Sequence, residues 1–306
     1  MTRLQANAIV LLVALIWGTT FVVQHTGMDD IDPCFFTGIR FFLGMLVVLP
    51  LSLREIGRLR EAGVAWSATD RLGLVATGLA LFCGSIMQQI GITTTTVTNA
   101  AFFTALYVPT VPILALVVSR IVPHPMIWPG AALCVAGAYM LGGAQLSALG
   151  RGDVWVMGGA LFWACQIVLV GVMTRRTNAP FTIAAAQSSI AAIMGLLLGG
   201  LTESFSLEAV YKAGFELLYA GVLSAGIAFT LQCLAQKYTQ AADAAIIMSF
   251  EAVFAAIAGA LFLGERLTPP EYGGCMLILV AVVAIQLLPL RESKKCPEDK
   301  PDIPHV

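Results

Sequence analysis

The sequence predicts an all-α integral membrane protein with ten transmembrane helices, arranged as two inverted five-helix repeats. Three features support this fold class: an apolar composition, a one-sided distribution of basic residues and an internal repeat. Hydrophobic residues make up 58% of the chain and charged residues 11%, whereas soluble domains average about 45–50% apolar and about 25% charged residues. The seven cysteines occur singly, without a CxxC pair, so neither a disulfide framework nor a zinc site is expected.

Ten apolar stretches are long enough to cross a bilayer, for which a helix needs about 20 mostly apolar residues. They cover residues 6–24, 35–53, 72–91, 99–119, 126–143, 154–173, 182–201, 217–236, 241–262 and 272–289. The tail that follows, residues 291–306, is rich in charge and proline and is expected to be a disordered cytoplasmic segment.

The basic residues fall mostly on one side of the membrane when these spans are counted. With a cytoplasmic N-terminus, 13 of the 17 Lys and Arg residues are cytoplasmic, three are external, and Arg40 lies within the second span. Basic residues in short loops are retained on the cytoplasmic side, so both termini are expected in the cytoplasm. One helix more or fewer would move every later loop to the other side and weaken this bias.

The chain also matches itself at offsets of 144 to 147 residues. The matching pairs are Trp17 and Trp163, Pro33 and Pro180, Gln88 and Gln232, Thr95 and Thr239, Pro125 and Pro269, and Gly130 and Gly274. The repeats are predicted to cover residues 1–145 and 146–290, with five spans each. Because five is odd, the two copies must have opposite orientations. Such inverted repeats are typical of transporters that bind substrate between them at the midplane, although channels also contain duplications.

Residues 250–274, FEAVFAAIAGALFLGERLTPPEYGG, resemble the second-repeat signature of EamA-type proteins in the drug/metabolite transporter superfamily. Ala252 stands where the family usually has proline. ALIWGTTFVV in span 1 and FFTGIRFFLG in span 2 also fit the family pattern. The resemblance covers the chain up to the tail. Within the superfamily, the chain most resembles bacterial YddG-like exporters of aromatic amino acids and metabolites. It implies a multi-pass exporter of the bacterial inner (plasma) membrane, with spans 1–4 and 6–9 around a cavity and spans 5 and 10 peripheral.

Polar and aromatic side chains within the spans are candidates for substrate binding, because an unsatisfied polar group in hydrocarbon costs several kcal/mol. Trp17 and Gln24 share one face of span 1, and Trp163 and Gln166 share one face of span 6. Since the two tryptophans correspond in the repeat, a pseudo-two-fold axis could place both beside one cavity. Alternatively, they pack against other helices or anchor their spans at a membrane interface.

Two further groups of side chains could contact a substrate. The first consists of polar groups that can both donate and accept hydrogen bonds: Ser85, Gln88, Gln89 and Gln232. These could instead join helices, at roughly 1 kcal/mol per contact. The second would form a wall for a flat substrate or would simply pack: Phe103, Tyr107 and Met248.

Arg40 and Glu251 are the ionisable residues placed well inside spans, where a charge is costly and is a functional hypothesis by default. Glu251 could carry a coupling proton or bind a substrate ammonium. It could also be a structural carboxylate that fixes span 9, either protonated or paired, with Arg40 as a candidate partner. The resembled family carries both residues across many substrates, which favours a gating or scaffold role over a substrate-specific one.

The sequence also argues against several classes of function. It contains no Gly-rich phosphate loop, catalytic triad spacing or metal-ligand spacing, so we expect no enzyme activity, cofactor or metal. It lacks the basic face with interleaved aromatics that nucleic-acid binding needs. The expected partners are a small-molecule substrate and the lipid bilayer; the oligomeric state stays open, and a monomer is compatible with the sequence.

The predicted function is export of small amphipathic metabolites, above all aromatic or other neutral amino acids, by alternating access. Three alternatives remain at this point: an exporter of nucleobases or cationic drugs, a channel-like facilitator and an intramembrane enzyme.

Overall fold

The computed structural model describes residues 1–120, 122–141, 150–264 and 266–287. Within these ranges the chain consists of helices and short connections, with no strand. The predicted boundary between the repeats, at residues 145 and 146, and the predicted disordered tail, residues 291–306, lie outside the described residues.

Fourteen α-helices and one π-helix make up the described part of the chain. They are α1 (Arg3–Gly27), α2 (Pro33–Glu61), α3 (Ala68–Ile92), α4 (Val97–Thr104), α5 (Tyr107–Ser119), α6 (Ile127–Leu141), α7 (Arg151–Thr177), α8 (Pro180–Thr202), α9 (Leu207–Lys212), α10 (Gly214–Leu218), the π-helix (Tyr219–Ala228), α11 (Phe229–Gln236), α12 (Ala241–Met248), α13 (Glu251–Phe262) and α14 (Pro269–Leu287).

Eight stretches of the described chain are long and apolar enough to cross a membrane. They are α1, α2, α3, α4 with α5, α7, α8, α10 through α11, and α12 with α13. The helices α6 and α14 are shorter and equally apolar. These ten units follow the ten predicted spans in order, so the predicted all-α membrane fold is confirmed.

The outer surface of the helices is apolar, as a lipid-facing surface must be. Large side chains such as Leu53, Val117, Leu161, Leu201 and Phe262 are each more than half exposed. A soluble protein rarely exposes so continuous an apolar surface. The polar side chains of the spans lie instead in the interior of the bundle, where Gln89, Gln166 and Gln232 are fully buried.

Contacts along the helices show that the two repeats run in opposite directions. Gln24 and Gln89, near the C-terminal ends of α1 and α3, are hydrogen-bonded, so these two helices are parallel. The C-terminal Gly91 of α3 lies against Gly152 at the start of α7, while Gly84 lies further along α7, against Trp163. Because α7 is antiparallel to α3, it is also antiparallel to its repeat counterpart α1.

Packing between helices follows the same pseudo-two-fold symmetry. The helix α2 packs on its own counterpart α8, and α6 packs on its counterpart α14. The pairing of α3 with α7 is matched by the pairing of α1 with the π-helix and α11. The helices α6 and α14 have few contacts with the other helices, which places this pair at the edge of the bundle.

One helix in each repeat is interrupted at the equivalent place. A break separates α4 from α5, and another separates α12 from α13. The helices after the breaks begin at Tyr107 and Glu251, which are 144 residues apart, the offset of the repeat in this region. The sequence pattern predicted both as unbroken spans, because apolar residues continue through the breaks.

The two breaks have different local causes. Pro109 has no N–H to donate to the carbonyl of Ala105, and its ring crowds that residue, so the helix cannot continue through this turn. In the second repeat the hydroxyl of Ser249 donates to the carbonyl of Ile246 at 2.6 Å, which competes with the regular backbone bonds.

The contact between α2 and α8 depends on glycine. A Cβ atom at Gly38 would lie 2.6 Å from the backbone nitrogen of Leu196 and 3.0 Å from the backbone carbon of Gly195. Small residues allow membrane helices to approach closely enough for extensive van der Waals contact. Gly38 and Gly195 therefore set the distance between the two repeats.

We predict that Gly38→Ala destabilises the protein, because α2 and α8 must move apart to admit the methyl group. Gly57→Ala is the matched control in the same helix, since nothing lies within 4 Å of an added Cβ there. Thermal unfolding in detergent should show a lower midpoint for Gly38→Ala and an equal or higher midpoint for Gly57→Ala, because alanine favours helix over glycine by about 1 kcal/mol. Equal midpoints would contradict the packing argument.

Candidate functional site

A cavity lies between the two repeats, at the middle of the helices. About 470 Å³ of space there is not occupied by protein atoms, a volume that includes open solvent, and the cavity admits only a few water molecules in this conformation. Its lining comes from both repeats and is partly aromatic, partly polar and partly charged. The residues are Trp17, Thr20, Phe21, Gln24, Arg40, Gln88, Thr104, Tyr107, Trp163, Gln166, Ile167, Ser224, Phe229 and Glu251.

Three aromatic rings pack against one another inside this cavity. The ring centroids of Trp17 and Phe229 are 4.8 Å apart, and those of Trp17 and Trp163 are 6.4 Å apart. Trp163 and Phe229 are stacked, with centroids 6.0 Å apart and planes 11° from parallel. Aromatic pairs at these distances attract each other beyond their area burial. A flat substrate would have to separate these rings and take the place of one of the contacts.

The repeat symmetry is broken at the two indole nitrogens. Trp163 Nε1 donates a hydrogen bond of 2.8 Å to Gln88 Oε1. The symmetric bond would join Trp17 to Gln232, but Gln232 is bonded to Gln166 instead, at 3.1 and 3.2 Å. Trp17 Nε1 is buried and has no hydrogen-bond partner among the described residues. The site therefore holds one indole in place and leaves the other with a free donor at the cavity.

Buried amides surround the cavity in two clusters. In the first repeat Gln24 bonds Gln89 at 2.9 Å, and Gln88 lies 3.5 Å from Gln24. In the second repeat Gln166 bonds Gln232, and it also donates to Gln187 at 3.0 Å. These bonds satisfy polar groups that would otherwise be costly in the membrane interior. Most of the glutamine side chains thus hold helices together.

The charged residues of the cavity do not pair with each other. Arg40 and Glu251 are 4% and 3% exposed, and none of the ion pairs among the described residues includes either one. The structural role suggested by the sequence, an Arg40–Glu251 pair, is therefore not what this conformation contains.

The residues singled out in the sequence fall into two groups in space. Those that line the cavity are Trp17, Gln24, Gln88, Tyr107, Trp163 and Gln166, together with Arg40 and Glu251. The others are buried outside its lining: Ser85, Gln89, Phe103, Gln232 and Met248. Gln89 and Gln232 support lining residues through hydrogen bonds, while Phe103 contributes to an apolar groove with Trp128 and Tyr139.

Several lining residues were not singled out in the sequence. Ser224 and Phe229 lie in the middle of one span: Ser224 is within the π-helix and Phe229 is the first residue of α11. A π-helix has an extra residue per turn and is often found at functional sites, but apolar composition alone does not reveal it. Phe229 has Ser85 as its repeat counterpart, so the repeat gave no signal for an aromatic residue there.

An equivalent hydrogen bond lies towards each end of the bundle. Thr95 donates to Asp153 at 2.5 Å, and Thr239 donates to Asn7 at 3.0 Å. Thr95 corresponds to Thr239 in the repeat, and Asn7 corresponds to Asp153. Asn7 precedes Trp17 by ten residues, as Asp153 precedes Trp163, which is about 15 Å along a helix. Because the repeats are inverted, the two bonds lie at opposite ends. We call them the Thr239–Asn7 and Thr95–Asp153 latches.

The Thr239–Asn7 latch has additional charged contacts. Arg3 pairs with Asp243 at 3.0 Å, and Arg175 donates to the carbonyls of Gln236 and Thr239, each at 3.4 Å. The first pair joins the N-terminal ends of α1 and α12, and the second contact joins the C-terminal end of α7 to the segment between α11 and α12.

Comparison with known proteins identifies the class to which this fold and cavity belong. The model of the EamA-like transporter family matches residues 4–143 and 150–287, and the chain belongs to this family. It is 33% identical to an uncharacterized transporter of Archaeoglobus fulgidus, over 93% of this chain and 87% of that protein. It is also 26% identical to the uncharacterized inner membrane transporter YedA of Escherichia coli K12, over 89% and 88% of the two chains.

A solved crystal structure has the same fold. It superposes with a TM-score of 0.75 over 94% of this chain and 97% of the other, at 17% sequence identity. The family match and the fold thus define a multi-pass membrane protein of a transporter family.

We predict different effects when the two indoles are replaced by phenylalanine. Trp163→Phe removes the bond to Gln88 and leaves its buried oxygen with only the weaker contact to Thr104 at 3.5 Å, so the free energy of unfolding should fall by about 1 kcal/mol. Trp17→Phe breaks no hydrogen bond and should lower stability less. Thermal unfolding of both variants in detergent measures this, and a larger loss for Trp17→Phe would contradict the assignment.

Proposed function

We propose that this protein exports small amphipathic metabolites, above all aromatic or other neutral amino acids, by alternating access. The observation that carries the proposal is the cavity between inverted repeats, lined by Trp17, Trp163 and Phe229 together with amides and two charges. Aromatic rings provide a stacking surface for a flat side chain. The amides offer both donors and acceptors to polar groups of a substrate.

The two latches support alternating access over a continuous pore. In this proposal each latch closes one end of the cavity. The Thr95–Asp153 latch is a single side-chain hydrogen bond, which contributes only about 1 kcal/mol net, and the Thr239–Asn7 latch adds the contacts of Arg3 and Arg175. Opening one latch while the other stays formed would expose the cavity to one side only. The breaks in α4–α5 and α12–α13 supply two places, related by the repeat, where a helix can bend. Rocking of inverted repeats about a fixed site is the usual mechanism of such folds.

The proposed location is a bacterial inner (plasma) membrane, with both termini in the cytoplasm. The excess of basic residues in the predicted cytoplasmic loops supports this orientation, and YedA is itself named an inner membrane transporter. In this orientation the Thr239–Asn7 latch faces the cytoplasm and the Thr95–Asp153 latch faces outward. No enzymatic step is proposed, because the lining residues are accounted for by binding and packing.

Counter-flow in proteoliposomes tests the proposal. Vesicles loaded with unlabelled phenylalanine should accumulate labelled phenylalanine transiently, and a panel of leucine, uracil and a lipophilic cation should compete less well. Trp17→Ala should weaken phenylalanine binding by on the order of 1 kcal/mol, about fivefold, through loss of stacking. Trp155→Ala is the matched control, because Trp155 is 44% exposed on the outer surface and should leave transport unchanged.

Other outcomes would point to the competing functions. Preference for uracil or the cation would favour a nucleobase or cationic drug exporter. Flux that neither saturates nor shows counter-flow would favour a channel-like facilitator. Equal loss for leucine and phenylalanine in Trp17→Ala would assign Trp17 to gating rather than to stacking.

A further inference from the structure

We propose that Arg40 binds the carboxylate and Glu251 the ammonium group of a zwitterionic substrate in the cavity. This rests on the proposed function and makes it more specific, because it names the groups by which the substrate is recognised. It departs from the gating or scaffold role that the sequence favours for these two residues.

Arg40 is a buried cation that forms no ion pair with any residue that the structure describes. Its guanidinium lies over the ring of Phe41, with the carbon Cζ 4.9 Å from the ring centroid, and 5.8 Å from that of Phe36. The side-chain amide of Gln24 faces the guanidinium. With its oxygen turned towards Arg40 it accepts from Nη1 at 2.5 Å and from Nη2 at 3.2 Å, in place of the bond that its nitrogen donates to Gln89 in the other orientation. The Nε of Arg40 has no hydrogen-bond partner among the described residues. An amide and two rings orient the group but leave its charge uncompensated.

Glu251 is the complementary group on the second repeat. It is the first residue of α13, at the break in the span. Its Oε1 and the hydroxyl of Tyr107 are both buried and lie close to each other without meeting the geometry of a hydrogen bond, and neither has another partner among the described residues. Neither the carboxylate nor the hydroxyl forms a hydrogen bond of regular geometry. Their oxygens are therefore available to accept hydrogen bonds from an ammonium group.

Keeping a buried arginine and a buried glutamate charged in a membrane protein is costly unless something compensates them. An inorganic anion or a cation alone would compensate only one of the two. A molecule with one carboxylate and one ammonium group compensates both and stays neutral overall. Arginine is well suited to the first role, since its planar fork of donors matches a carboxylate.

The position of Arg40 also indicates where the side chain of such a substrate would lie. Phe41, which contacts the Arg40 guanidinium, is 5.7 Å from Phe229, and Phe229 belongs to the aromatic cluster with Trp17. A carboxylate at Arg40 would therefore leave the side chain of the substrate close to the rings. The free indole nitrogen of Trp17 adds a donor in the same region.

The test uses three aromatic compounds that differ only in their charged groups: phenylalanine, phenethylamine, which lacks the carboxylate, and 3-phenylpropionate, which lacks the ammonium. Their binding to the purified full-length protein is measured for the wild type, Arg40→Gln and Glu251→Gln. Wild-type protein should bind phenylalanine about tenfold more tightly than either analogue, since a charge-assisted hydrogen bond is lost in each case.

Each variant should lose affinity selectively. Arg40→Gln should weaken phenylalanine and 3-phenylpropionate about tenfold and leave phenethylamine unchanged. Glu251→Gln should weaken phenylalanine and phenethylamine and leave 3-phenylpropionate unchanged. Arg176→Gln is the control, because it removes a half-exposed guanidinium that pairs with Asp70 and does not line the cavity, and it should not alter the ratio between the three compounds.

Two different failures can be told apart. If wild-type protein binds none of the three compounds, the proposed function fails and this inference fails with it. If phenylalanine binds but the variants weaken all three compounds by the same factor, the residues are scaffold and only the charge assignment is overturned. Should Arg40→Gln not fold, the wild-type preference for phenylalanine over both analogues decides: a preference below twofold overturns the assignment.

Discussion

The hydrogen bond from Trp163 to Gln88 crosses the boundary between the two repeats at the level of the cavity. It fixes the edge of the Trp163 ring, so that the face of the ring stacks on Phe229. The same Gln88 lies beside Gln24, which in turn faces Arg40. The side-chain amide of Gln88 therefore links the aromatic and the charged parts of the cavity. Its polar atoms would be costly to leave unpaired in a membrane.

Duplication gives the molecule its symmetric parts, and departures from symmetry give it a specific site. The latches, the helix breaks and the contacts of α2 with α8 and α6 with α14 all follow the repeat. Three features do not follow the repeat: the indole donors, the pair Arg40 and Gln187, and the pair Tyr107 and Glu251. Symmetric parts suit alternating exposure to the two sides, because opening one end is structurally equivalent to opening the other. A substrate with unlike ends requires the asymmetric parts.

The sequence predicted the fold well because bilayer thickness and backbone satisfaction leave few alternatives. Ten apolar stretches and their offset led to the helix order and the opposed repeats. The internal repeat in the sequence also predicted that Trp17 and Trp163 lie beside one cavity. The sequence did not predict the breaks before Tyr107 and Glu251 or the π-helix before Phe229, since apolar residues run through all three. Nor could it separate Gln88, which lines the cavity, from Gln89, which lies behind it, because neighbouring residues differ in side-chain direction only once the helices are packed.

Accessibility of the cavity with one latch locked tests the central claim most directly. In a background without the native cysteines, Asn7 and Thr239 would be replaced by cysteines and joined with a short cross-linker, and Ser224→Cys would report on the cavity. Alternating access predicts that locking this latch leaves Ser224→Cys open to impermeant reagent from the outer side and closed to it from the cytoplasmic side. Locking the Thr95–Asp153 latch in the same way should reverse the result. Labelling from both sides with either latch locked would contradict the account and favour a continuous pore.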